Sequence, residues 1–63
     1  MAETTKIERT YNAISPRTAR RLASTLRRHG YQVRQARQWL YVQANALDTH
    51  LTFMARQYQA IAY

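Results

Sequence analysis

The chain has no cysteine, so neither a disulfide nor a thiolate metal site is available to it. Its two histidines stand 21 positions apart and its three acids, Glu3, Glu8 and Asp48, are scattered; no metal is expected. With so few carboxylates, no Cys–His or Ser–His–Asp set and no glycine-rich phosphate loop, the sequence reads as a non-enzyme without cofactors. No run of about 18 apolar residues is present to span a membrane. The opening MAETTKIERT lacks the apolar stretch of a secretion signal, so a cytoplasmic protein with no membrane partner is expected.

What remains is short and basic. Sixty-three residues make one domain near the lower limit for independent folding, with residues 1–14 read as a tail or short strand and 15–63 as a single small helical domain. Without disulfides or metal, association is the remaining source of extra stability. The net charge is +7, and nine of the ten basic residues are arginine. Such a balance favours an anionic partner, and the guanidinium fork suits phosphate in particular.

Gly30 and Pro16 are the only glycine and proline, and they bracket the clearest element. In ISPRTARRLASTLRRHG, Ser15 is placed to cap a helix whose first position is Pro16. Gly30 is placed to end it, behind a basic last turn of Arg27, Arg28 and His29. Ala19, Leu22, Ala23 and Leu26 form its apolar face.

Beyond Gly30 no breaker follows. Val33, Arg37, Leu40, Ala44, Leu47, Leu51, Met54, Tyr58 and Ile61 alternate steps of four and three, a heptad-type seam interrupted only by Arg37. Trp39, Ala46, Phe53 and Ala60 form a second stripe. The pattern predicts a mainly α protein: a helical hairpin of a short basic helix (about 15–29) and a long heptad-patterned helix (about 32–62). The long helix would extend roughly 46 Å against about 21 Å for the first. Its uncovered half, Leu47, Leu51, Phe53, Met54, Tyr58 and Ile61, then becomes a homodimer or partner interface. Two alternatives stay open. The helix breaks at Asp48 and a third helix begins there, or KIERTYNAI is a strand and the order follows a ribbon-helix-helix outline, against which Arg37 and the length of the last helix both count.

Eight basic residues and no acid lie between Arg9 and Leu47. In a helical hairpin Arg27, Arg28, Arg34 and Arg37 converge on the Gly30 corner. Arg17, Arg20 and Arg21 extend this surface along the first helix, with Gln35 and Gln38 placed to reach base edges. The expected function is therefore that of a small nucleic-acid-binding protein, a dimeric DNA-binding regulator of phage or plasmid type, with DNA preferred to RNA. The rival reading is a module or inhibitor that docks its apolar helix or basic face on an acidic protein. Trp39 with Phe53, and Tyr11, Tyr31 and Tyr41, are candidates for base stacking, although such aromatics are ordinarily core. His50 reads as an interior histidine and His29 as a helix-end residue.

Overall fold

The computed structural model describes residues 6–45 and 47–63. It overturns the mainly α hairpin: the protein is α+β, with a four-stranded antiparallel sheet and two short helices. In chain order these are β1 (Lys6–Asn12), α1 (Pro16–Arg28), β2 (Gln32–Ala36), β3 (Trp39–Asn45), α2 (Thr49–Gln57) and β4 (Ile61–Ala62). The strands lie in the order β2-β3-β1-β4. Each strand–helix–strand unit leaves room for one strand of the other, a split βαβ arrangement used twice.

Helix α1 stands where the sequence puts it. The Ser15 hydroxyl accepts from the Thr18 amide at 3.2 Å, and Pro16 opens the first turn. At its end Gly30 takes φ +92°, and the amides of Gly30 and Tyr31 return to the carbonyls of Arg27 and Leu26. This is the two-bond left-handed cap for which glycine is favoured. Ala19, Leu22, Ala23 and Leu26 are fully buried.

The long helix does not exist. Its first half is a hairpin, β2 and β3, with Val33 opposite Val42 and Ala36 opposite Trp39. Residues four apart share a face in a strand as well as in a helix, so Leu40 and Ala44 satisfy both patterns. Val42 separates them: a helix would turn it away from Leu40, whereas a strand buries all three, and all three are buried. Arg37, the interruption in the seam, is the first residue of the two-residue hairpin loop and has φ +58°. A strand at KIERTYN and a helix beginning after Asp48 do occur. Strand β1, however, pairs with β3 and β4 within the same chain, so no ribbon-helix-helix dimer is built from it. Ala46 of the second stripe lies outside the described residues.

The core is one layer between the sheet and the helices. Tyr11, Ala13, Val33, Leu40, Val42 and Ala44 meet the four buried residues of α1 and Leu51, Met54 and Ala55 of α2. Leu51 and Met54, expected at a dimer interface, therefore fill the chain's own core, and the Tyr58 hydroxyl lies 3.0 Å from Thr25 Oγ1. With these residues satisfied internally, the chain needs no second copy to bury them. Both helices lie on one side of the sheet. Among the described residues nothing covers its other side.

Candidate nucleic-acid interface

Pleating assigns the uncovered face by register. Alternate residues of each strand point there: Gln32, Arg34 and Ala36 of β2, Trp39, Tyr41, Gln43 and Asn45 of β3, and Lys6, Glu8, Thr10 and Asn12 of β1. Ile61 stands opposite Asn12, and the Tyr63 amide donates to the Thr10 carbonyl at 2.9 Å. Reading across the sheet, Arg34, Tyr41, Thr10 and Tyr63 form one row. Ala36, Trp39, Asn12 and Ile61 form the next.

Three of the chain's seven Tyr, Trp and Phe rings are thereby gathered on one open surface. Trp39 and Tyr63 touch edge to face, with ring centroids 5.1 Å apart. Arg34 reaches across β3 with its guanidinium carbon 5.5 Å from the Tyr41 ring centre, and its Nη2 lies 3.2 Å from Glu8 Oε2. Tyr63 is 71% exposed and Ile61 60%, while Trp39 and Tyr41 are half-buried. Aromatic rings on a water-facing sheet, with a cation above one of them, offer flat surfaces for other flat groups.

The arginines of the sequence reading are not gathered into one corner. Arg17, Arg20, Arg21 and Arg28 lie on the outer side of α1, opposite its buried face. Arg27 is engaged internally, its Nη2 donating to the Val33 carbonyl at 2.9 Å; β2 is an edge strand, and this bond blunts the edge. Arg34 is on the sheet face. Arg37 sits at the far end of β2, roughly 20 Å of extended chain from Gly30. Gln35 donates from Nε2 to the Arg37 carbonyl and Gln38 belongs to the hairpin loop, so both serve the turn.

A polar cluster between β1, Tyr31 and α2 engages Arg9 and Asp48. Asp48 caps α2: Oδ1 accepts from the Leu51 amide at 2.9 Å and Oδ2 from the Tyr31 hydroxyl at 2.8 Å. Burial acts to raise the Asp48 pKa, but these two hydrogen bonds and the positive charges of His50 and Arg9 outweigh it and hold the carboxyl below its usual range. Burial, followed by the bond to Asp48, pushes the Tyr31 phenol up to about 12. Arg9 reaches the Asp48 carbonyl at 3.4 Å and Thr52 Oγ1 at 3.5 Å. His50 is exposed, not interior, and meets His29 edge to face at 5.3 Å. His29 Nδ1 lies 2.9 Å from the Thr25 carbonyl at the end of α1.

Phe53, which shares a heptad stripe with Trp39 in the sequence, is 59% exposed on α2, on the other side of the sheet from Trp39. The open concavity beside it is lined by Thr49, Thr52, Phe53, Arg56 and Gln57 and contains no acid–base pair. Among the described residues no group of three histidines or acids is placed to hold a metal, and no helix is long and apolar enough to cross a membrane. Leu47 is 90% exposed at the start of the turn into α2.

Comparison with protein-family models, curated proteins and solved structures returns no match. Sequence reasoning named Trp39, Tyr41 and Arg34 separately and missed Tyr63 as their neighbour. The available signal was the alternation in WLYVQAN, which sends Trp39 and Tyr41 to the side opposite Leu40 and Val42.

Proposed function

We propose that the protein binds single-stranded nucleic acid, with unpaired bases stacking on the open face of the sheet. The observation that carries this reading is the grouping of Trp39, Tyr41 and Tyr63 on that face with Arg34 over Tyr41. Four-stranded sheets bearing aromatic rings on an uncovered face stack two or three bases in this way, and every base has a flat face to offer. The net charge of +7 supplies attraction for a phosphate chain. A regulator that reads duplex DNA has less support, because Gln35 is engaged in the hairpin and α1 contains no Asn or Gln to pair with adenine.

Trp39 is the only tryptophan and is therefore a direct reporter. Titration with an oligothymidylate should quench its fluorescence saturably, and affinity should fall steeply with added salt. Tyr41→Ala should weaken binding by about 1–3 kcal/mol, the value of one stacked base. Saturable binding without any change in Trp39 emission would remove the sheet face from the reading. A second reading draws on the exposure of Ile61 and Tyr63: the same face receives a protein, including another copy of this chain. Light scattering that shows self-association lost on Ile61→Ser would favour it.

A further inference from the structure

We infer that the outer face of α1 is a second nucleic-acid surface, for the phosphate chain of another strand, and that the protein thereby promotes strand pairing. The inference rests on the sheet-face reading. Arg17, Arg21, Ser24 and Arg28 follow one another at steps of four, three and four, a straight row about 16 Å long on the helix side opposite Leu22 and Leu26. Arg20 flanks the row. Among the described residues none of Arg17, Arg20, Arg21 and Arg28 makes a hydrogen bond or an ion pair; the one ion pair is Arg34–Glu8. There is no acid anywhere in the helix. Like charges three and four residues apart weaken a helix, and no acid among the described residues pairs with them. A row of phosphates would.

The composition of this face selects the partner. Between Pro16 and Arg28 no large apolar side chain is exposed, whereas protein interfaces are built around buried aromatic and aliphatic anchors. A rigid row of guanidinium forks with a hydroxyl among them matches a phosphate backbone without reading its bases. Placement completes the argument. The helix packs on the covered side of β2 and β3, while Trp39 and Tyr41 project from the other side of β3. A short strand stacked on the sheet cannot also lie along α1, so the two surfaces hold different strands. One strand is held by its bases and the other by its phosphates, whose bases stay free to pair.

The test is annealing of two complementary DNA strands carrying a donor and an acceptor dye, at physiological ionic strength. The wild-type protein should accelerate energy transfer. The triple variant Arg17→Gln, Arg21→Gln, Arg28→Gln, altered only at exposed positions of a good helix former, should anneal at the rate of the strands alone. Its Trp39 quenching by oligothymidylate should stay within about twofold of wild type, because stacking is untouched. Undiminished annealing by the triple variant would overturn the inference. So would annealing that survives Trp39→Ala with Tyr41→Ala, which is what any polycation produces. Absence of acceleration by the wild type with quenching intact would overturn it too, leaving the sheet-face reading in place. Absence of quenching would instead remove the sheet-face reading and this inference together.

Discussion

At the scale of single residues, the two helix ends make a controlled comparison. Both helices close with the same two-bond cap: in α1 the amides of Gly30 and Tyr31, in α2 those of Gln59 and Ala60, which return to Arg56 and Ala55 at 3.0 and 2.9 Å. The left-handed position is filled by glycine in the first and by Gln59, at φ +58°, in the second. A side chain there costs about 1 kcal/mol relative to glycine. Gln59→Gly should therefore raise stability by up to about 1 kcal/mol, and Gly30→Ala should lower it by a similar amount; denaturant midpoints of the two variants would move in opposite directions. The same contrast explains legibility. Gly30 announced a helix end in the sequence, whereas Gln59 and Arg37, the other left-handed residue, announced nothing because neither is Gly, Asn or Asp.

The Tyr31–Asp48 bond sets a pH window at both ends. The Asp48 pKa is lowered in the folded chain, so its contribution is present above the ordinary carboxylate value of about 3.9 and is lost as pH falls through the lower folded value. The Tyr31 phenol is raised, so its contribution is complete below the ordinary phenol value near 10 and is lost as pH climbs towards about 12. Asp48→Ala should cost about 1 kcal/mol at neutral pH through loss of the helix cap, and it should flatten the acid limb of stability against pH. A variant with an unchanged acid limb would show that Asp48 is not the group responsible.

Among elements, the arginines divide by what they touch. Arg27 donates to the edge of β2, while Arg28, its neighbour in sequence, makes no hydrogen bond or ion pair among the described residues. Arg27→Ala should lower stability by about 1 kcal/mol, the net value of a hydrogen bond from a charged donor in a partly wet site. Arg28→Ala should stay within about 0.5 kcal/mol of wild type, as exposed substitutions do. Thermal unfolding of the two single variants checks this directly. Equal effects would mean that the Arg27 bond contributes nothing.

The hairpin is the element that sequence periodicity misplaced. Leu40 and Ala44 fit a heptad and a strand equally. The discriminating features are local: β-branched Val33 and Val42, the aromatic content of YQV and WLYV, and the polar residues between the buried ones. A two-residue loop made of Arg37 and Gln38 gave no turn signal, since hairpins of this kind usually declare themselves with Asn-Gly or Asp-Gly.

For the whole molecule, charge works against the fold. The chain carries +7, and its one ion pair among the described residues is exposed and of small value. Added salt screens much repulsion and little attraction. The thermal midpoint should therefore rise with sodium chloride while nucleic-acid affinity falls, two opposite salt responses from one charge distribution. A midpoint that drops with salt would mean that attractive pairs outweigh the repulsion.

By itself the sequence determined what depends on neighbours a few residues apart. It specified α1 with its caps, the buried stripe on that helix and the arginine excess, because helix signals are read within one turn, and it offered Asp48 only as an alternative helix start. Only the tertiary structure decided that Leu40 to Ala44 form a strand, that Leu51 and Met54 fill the chain's own core, and that Trp39, Tyr41 and Tyr63 share a surface. Strand pairing joins residues far apart in the chain, β1 to β3 and Thr10 to Tyr63. Which rings meet across a sheet depends on register, and register depends on every strand being buried on the same side at once.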